Sequence, residues 1–311
     1  MLLFVLRRCL QLVPVLVGIT LVTFVLMNVV AGDPVMQLLD ERQAGLDESA
    51  VQNIRKQWGL DQPKPIQYVH FLTNAVQGNL GRSYISREPV AVALMARFPA
   101  TARLGLVALT FAMIVGVAAG VVAAAKRNSW FDSIAMVVAL GGVSIPVFWL
   151  GLLLMYLFAV KWRLLPASGY GDGQLKYLLM PAVALGAGIT AVIARITRSA
   201  MLGVIRLEYI VTARSKGVSE ARVIFKHALR NALIPVITIV GVQLGGVLSG
   251  AVITETVFNW PGIGRLLVDS IGKRDLPMVQ GVVVFFALLF AVVNLAVDVA
   301  YAAVDPRIRY Q

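Results

Sequence analysis

Polar side chains set inside long apolar stretches are costly to bury, so they are the first places to look for chemistry. Asn28, Gln243, Ser249, Asn294 and Asp298 stand in such stretches, with Asn294 and Asp298 one helical turn apart. Amides, a hydroxyl and a carboxylate there suit a pathway for a zwitterionic solute. They suit hydrogen bonds between helices equally well, and Asp298, near the end of its stretch, could pair with an arginine. Covalent and metal chemistry find less support. The single Cys9 excludes an internal disulfide and a multi-cysteine metal site, and His70 and His227 lie far apart. No G-x-x-x-x-G-K-[ST] phosphate loop and no Ser/His/Asp arrangement in a pocket-forming context occurs, so the chain is not expected to hydrolyse ATP by itself.

A second concentration is charged. Eight basic residues between Arg195 and Arg230 surround Glu208-Tyr209-Ile210-Val211-Thr212-Ala213-Arg214-Ser215-Lys216-Gly217. Ile205, Tyr209, Thr212 and Ala213 share one face of a helix. Glu208 near its start and Lys216 at its end suit the helix dipole. Gly217 supplies a left-handed stop, and Ser219 can cap the next helix. There Arg222, Lys226 and Arg230 recur at spacing four. Positive charge beside lipid headgroups explains the basic residues alone. The helix–glycine–helix arrangement is more specific, because a short presented helix suits a rigid mechanical contact.

The elements that must position these residues follow from composition. The chain has 311 residues, 59% hydrophobic and 14% charged. Soluble domains have about 45–50% apolar and about 25% charged residues, which excludes an ordinary soluble enzyme. Disorder is excluded by the same apolar content. An all-α polytopic membrane protein is expected, with six transmembrane helices near 10–31, 102–125, 133–160, 178–193, 233–253 and 281–304. The first is too long for a signal peptide and reads as an uncleaved anchor. Period-two alternation is missing, which argues against a β-barrel. The net charge is +12. With the N-terminus inside, the inner segments hold fourteen basic and four acidic residues, and the outer segments fourteen basic and eleven acidic. Both termini are therefore expected in the cytoplasm. The charge thus marks orientation and anionic lipid, not nucleic acid.

The outer region, 32–101, is too long for a simple turn. Helices are expected after Asp47, Glu48 and Ser49 up to Gly59, from Pro65 to Val76, and from Pro89 to Phe98. Such short amphipathic helices usually lie on the membrane surface; a docking surface for an extracytoplasmic partner is the alternative. Gly116/Gly120 and Gly241/Gly245, extended by Gly246 and Gly250, suit close helix packing. Pro146 is expected to kink the third span. Residues 254–280, with Pro261, Gly262 and Gly264, read as a re-entrant or capping turn followed by a short helix, 263–271.

The chain resembles the permease subunit of bacterial ABC importers for dipeptides, oligopeptides, glutathione and nickel. The resemblance rests on Leu6-Arg7-Arg8, Gly32-Asp33-Pro34, Gly59-Leu60-Asp61, Gly78-Asn79-Leu80-Gly81 and Thr212-Ala213-Arg214-Ser215-Lys216-Gly217. It continues through His227-Ala228-Leu229-Arg230-Asn231-Ala232, Glu255-Thr256-Val257-Phe258-Asn259-Trp260-Pro261-Gly262-Ile263-Gly264 and Asp305-Pro306-Arg307-Ile308-Arg309. It covers essentially the whole chain as one permease domain of the type I ABC importer fold in the bacterial inner membrane. It implies that the 195–232 loop couples to an ATPase through Glu208, Tyr209, Thr212, Ala213, Arg214, Lys216 and Gly217. Of the wider Glu-Ala-Ala consensus aligned on Gly217, only Ala213 matches, and the later proline falls at Pro235. The resemblance also places Glu255, Phe258, Trp260, Pro261 and Gly262 at the outer mouth, toward a binding protein; a purely structural cap fits those residues equally. The implied partners are a second homologous permease in a heterodimer, two ABC ATPase subunits or domains carrying ATP and Mg, an extracytoplasmic binding protein and membrane lipid. The chain itself is expected to hold no cofactor. The implied cargo is a di- or oligopeptide or a glutathione-like peptide, with nickel or another small solute as the alternative. A secondary transporter would want charged relays in several spans and an internal repeat. A membrane scaffold would not need a presented helix ending at Gly217.

Overall fold

The computed structural model describes residues 2–29, 35 and 48–304. The Gly32-Asp33-Pro34 and Asp305–Arg309 motifs lie outside the described residues, and of Leu6-Arg7-Arg8 and Asp298 only the helical backbone is described. The described chain is helical: α1 Leu2–Val29, α2 Glu48–Gln57, α3 Lys64–Val76, α4 Val90–Ala125, α5 Trp130–Ser144, α6 Val147–Leu154, α7 Leu175–Val204 and α8 Glu208–Ser215. Next, α9 comprises Glu220–Arg222, a π-helical turn Val223–Ala228 and Leu229–Val257; α10 is Ile263–Gly272 and α11 Leu276–Val304. Among the described residues four helices are long and apolar enough to cross a membrane: Val90–Ala125, Leu175–Val204, Glu220–Val247 and Leu276–Val297. The pair Trp130–Ser144 and Val147–Lys161 makes a fifth if it counts as one span, and the described apolar part of α1, Val13–Asn28, is shorter.

The residues group into two compact units, Met1–Ala100 with Pro261–Leu295, and Thr101–Trp260 with Ala296–Gln311. In the first unit, Val90, Ala93 and Leu94 of α4 pack on Ile263 and Leu266 of α10 and on Met278 and Val282 of α11. A Cβ at Gly281 would lie 2.3 Å from Val90 Cγ1, so glycine lets the two backbones meet. Helix α3 stands against α1: the Tyr68 hydroxyl donates to the Val17 carbonyl at 2.8 Å, lies 2.9 Å from Thr20 Oγ1, and its ring sits 5.5 Å from Phe24. Ile66, Val69 and Val76 of α3 stay exposed, the pattern of a helix whose apolar side meets lipid. Helix α2 ends as its sequence predicts, with Gly59 at φ +66.

In the second unit α7 is the central helix, packed against α5, α6 and α9. Its small residues Ala182, Ala184, Gly186, Ala191 and Ala194 are buried, which permits close backbone approach. Gly116 and Gly120 of α4 use that freedom. A Cβ at Gly120 would stand 2.5 Å from Thr197 Cβ and 2.6 Å from the Ala194 carbonyl oxygen. Gly250 likewise faces Leu185, whereas Gly246 meets nothing within 4 Å among the described residues.

Three elements differ from their sequence reading. The helix expected over 89–98 does not stop; it continues as α4 to Ala125. Pro99 sits inside it, and the helix continues past it although a proline cannot donate the backbone hydrogen bond of its turn. The third span is broken rather than kinked. Ile145 is extended at ψ 123, Pro146 has ψ 137, and the axes of the flanking helices differ by 108°. A proline pushes the residue before it out of the helical region, and here both residues leave it. Finally, α7 runs on past Arg195 and Arg198 to Val204, so the loop expected at 195–232 begins later.

Candidate functional site

Helix α8 is short because strong signals bound it on both sides. Leu207 precedes it in extended conformation (ψ 148), and Glu208 occupies its first turn. At the other end the Gly217 N–H donates to the Arg214 carbonyl at 2.9 Å and the Val218 N–H to the Ala213 carbonyl at 3.2 Å. Gly217 has φ +73. This pair of bonds around a left-handed residue is a Schellman stop, as the glycine at this position predicts. Ser219 holds the N-cap position of α9, though its side chain makes no capping bond.

The helix is clamped to the structure beneath it. Ile210 is fully buried with Val121 and Ala124 of α4, Met201 of α7, and Val223, Ala228 and Ala232 of α9; Ala213 and Val218 pack at the edge of that cluster. Arg214 bridges the Gly217 turn to Glu220 with two bonds, Nε to Oε2 at 3.0 Å and Nη2 to Oε1 at 2.5 Å. The Glu220 hydrogen bond, with its charge, holds the guanidinium above its ordinary range despite partial desolvation. Asn231 Nδ2 donates to the Tyr209 hydroxyl at 2.6 Å, and that hydroxyl lies 3.4 Å from the His227 carbonyl. Glu208, Val211, Thr212, Ser215 and Lys216 remain exposed. The Thr212 and Ser215 hydroxyls bond to carbonyls of their own helix. The result is a rigid knob on a helical hairpin, open on one side.

Two details of the sequence reading change. Ile205 caps the end of α7 and does not share the face of α8; the inward face is Ile210 with Ala213. Ala213 packs inward, against the same cluster. The basic stripe Arg222, Lys226, Arg230 is interrupted, because Val223–Ala228 forms a π-helical turn. Val223 and Ala228, five apart, are both fully buried, and a wide turn brings that spacing onto one side. Sequence reasoning missed Glu220, Asn231 and Ile210. Opposite charges flanking Gly217 were the available signal for the first.

A second ion pair lies near the start of α5. Arg198 of α7 donates to both oxygens of buried Asp132, at 2.6 and 2.7 Å. Asp132 also accepts from the Asn128 N–H at 3.1 Å, and its own N–H donates to the Ser129 hydroxyl at 3.4 Å. Ser129 thus caps α5, while Asp132 holds the Asn128 N–H just before the cap and ties that end to α7. The two residues of the ion pair stand 66 apart in the chain, and no local pattern announces it.

In the first unit Asn28 and Asn294 each donate to a carbonyl of their own helix, Phe24 at 2.8 Å and Phe290 at 3.0 Å. In the second, Gln243 is half-buried and Ser249 exposed. The Asp298 side chain lies outside the described residues. The segment expected at an outer mouth is largely interior. Glu255, Phe258 and Trp260 are at most 1% exposed. Thr101 Oγ1 donates to Glu255 Oε1 at 2.6 Å, and the Trp260 N–H to the Glu255 carbonyl at 2.8 Å. Phe258 packs on Met180, Ala184 and Leu154, and Trp260 meets the Tyr170 ring edge to face at 4.8 Å. These three side chains hold the second unit together and offer no contact surface. In the first unit Pro261 is half-buried, and buried Gly262 caps α10.

Comparison with known proteins gives a consistent result. The family model described as the binding-protein-dependent transport system inner membrane component matches residues 116–310, and the model of the N-terminal part of such components matches residues 1–105. The chain is 44% identical over its full 311 residues to the whole of the glutathione transport system permease protein GsiC of Escherichia coli, and 45% identical over the same span to its Pectobacterium atrosepticum counterpart. Among solved structures, an inward-facing conformation of the MetNI methionine ABC transporter shares the fold with a TM-score of 0.60 at 20% identity. That match covers 70% of this chain and 99% of the other. An amino acid ABC transporter matches with a TM-score of 0.51 at 15% identity, over 70% and 95% of the two chains.

Proposed function

This chain belongs to the family of inner membrane components of binding-protein-dependent transport systems and is the permease subunit of an ABC importer, and from that premise we propose that it forms half of a translocation pathway for peptides and transmits ATPase motion through α8. The observation that carries the proposal is the construction of α8. It is presented on one side and held on the other by Ile210, the Gly217 stop, the Arg214–Glu220 bridge and the Tyr209–Asn231 bond. A helix so held moves with α7 and α9 instead of fraying, which a lever requires. In this reading Glu208, Thr212, Lys216 and their exposed neighbours meet the ATPase. Arg214 and Tyr209 hold the knob in place, Ala213 packs beneath it, and Gly217 ends it.

The proposed assembly pairs this subunit with a second, homologous permease, with two ATPase subunits that carry ATP and Mg, and with an extracytoplasmic binding protein. The proposed topology has six spans and cytoplasmic ends, with α1 and the α5–α6 pair each counted as a crossing. Full-length similarity to glutathione permeases supports a glutathione-like or other short peptide as cargo. The deciding experiment replaces Gly217 by valine in the assembled transporter. A β-branched residue is strained at φ +73, so the stop and the adjacent knob deform. Uptake should be abolished and ATP hydrolysis should lose its dependence on the loaded binding protein, with membrane insertion intact. Normal uptake by this variant would overturn the assignment.

A further inference from the structure

We propose that the first unit holds a binding site for a small organic oxyanion, a molecule bearing a carboxylate or a phosphate, in the cavity between α2, α3, the 79–87 loop and the start of α11. The cavity has a volume of about 650 Å³, within the range of small-molecule sites. Lys56, Arg82 and Arg87 line it together with His70, and no Asp or Glu among the described residues does. Such a lining attracts a negative group by charge, and a guanidinium adds a planar pair of donors matched to an oxyanion.

A second observation points to the same chemistry. Gln280 also lines the cavity and is only 3% exposed, and its Nε2 donor has no hydrogen-bond partner among the described residues. Buried donors are ordinarily paired; this one is closed to solvent, so it would meet an acceptor on a bound molecule once its side chain turns toward the cavity. The loop that carries the two arginines is built to hold its form. Arg82 pairs with Pro89 in an isolated bridge, and Arg87 adopts φ +62. Ser83 Oγ accepts from the Ile85 and Ser86 N–H groups and donates to Asp275 Oδ2 at 2.5 Å. The Tyr84 N–H donates to Asp275 Oδ1 at 3.0 Å. Both oxygens of the neighbouring carboxylate are thus engaged in anchoring the loop. Arg87 stacks 4.9 Å from the Trp58 ring, which lies parallel to Tyr84 at 4.2 Å, so the guanidinium is steadied before any ligand arrives.

This site does not depend on the transported cargo or on which side of the membrane the unit faces. The shared chemistry has two sources, soluble acids and anionic lipid headgroups, and one experiment separates them. The full transporter is placed in phosphatidylcholine nanodiscs, with or without phosphatidylglycerol, and titrated calorimetrically with citrate and with inorganic phosphate. Saturable binding to at least one probe is expected in the neutral discs. Arg82→Ala and Arg87→Ala should each weaken it about tenfold, and Gln280→Leu roughly threefold. Lys176→Ala, in the other unit, should leave it unchanged. Both arginines are exposed, so their removal spares the fold. Loss of probe binding only in discs containing phosphatidylglycerol identifies the headgroup as occupant; equal binding in both identifies a soluble acid. The absence of saturable binding in neutral discs, or binding indifferent to both arginine variants, would overturn the proposal.

Discussion

At Arg214 and Glu220 two exposed side chains reach across the Gly217 turn with a bidentate geometry. Exposed pairs contribute less than about 1 kcal/mol to stability, so the value of this one lies in orientation. Arg214→Ala should leave the thermal midpoint nearly unchanged while lowering the ATPase stimulation produced by loaded binding protein; stimulation at the wild-type level would remove the pair from the coupling account. Ile210 makes the opposite case. It is fully buried under α8, and cutting such a side chain to alanine costs about 2–5 kcal/mol. Ile210→Ala should therefore loosen α8, read as faster amide exchange in 208–215 than in α7. The Asp132–Arg198 pair is deeper. Asp132→Asn leaves the Arg198 guanidinium half-buried without its counter-charge, a loss of about 3–5 kcal/mol. Adding Arg198→Met should recover a large part of it, as measured by detergent-solubilised melting. In the first unit burial, and then the Asp275 charge, push the Tyr84 phenol well above its ordinary range.

Elements were legible where a residue type acts locally. Gly59 and Gly217 end α2 and α8 because both stops require a left-handed residue, and both have positive φ. The helix from Pro65 to Val76 and that from Ile263 to Ile271 emerge within a residue of their expected bounds, as Lys64–Val76 and Ile263–Gly272. Whatever depends on contacts distant in sequence was not legible. Nothing local in Val223–Ala228 announces a π turn, which is favoured by burying Val223 and Ala228 against α4 and α7. Nor does Pro146 by itself specify a bend of 108° instead of a modest kink. The family resemblance alone places Glu255 and Trp260 at an outer mouth, yet Thr101 and Tyr170 claim them inside the second unit. The glycine pair Gly116/Gly120 was legible as packing because spacing four and small size carry that meaning directly. Gly120→Val would drive a side chain into Thr197 and the Ala194 carbonyl. It should lower the yield of folded transporter in the membrane, whereas Gly246→Ala, which meets no neighbour among the described residues, should not.

At the scale of the whole molecule, the apolar composition is used by long helices and the excess positive charge gathers around the α7–α9 region. Full-length identity of 44% to glutathione permeases and the fold shared with the MetNI transporter make this chain a subunit whose work depends on others. Its own residues supply a span framework, a broken helix at Pro146 and a clamped knob. The central claim is that this knob meets the ATPase, and proximity tests it most directly. Cys9 is the only cysteine, so a Cys9→Ser background allows one probe at a time. In that background Thr212→Cys, on the exposed side of α8, should cross-link to the ATPase subunit through a short thiol-reactive photoprobe, and the yield should change between nucleotide-free and ATP-bound transporter. Val76→Cys, 89% exposed on α3, should give no ATPase cross-link. A Thr212→Cys probe that labels only lipid or binding protein, with transport intact, would contradict the account.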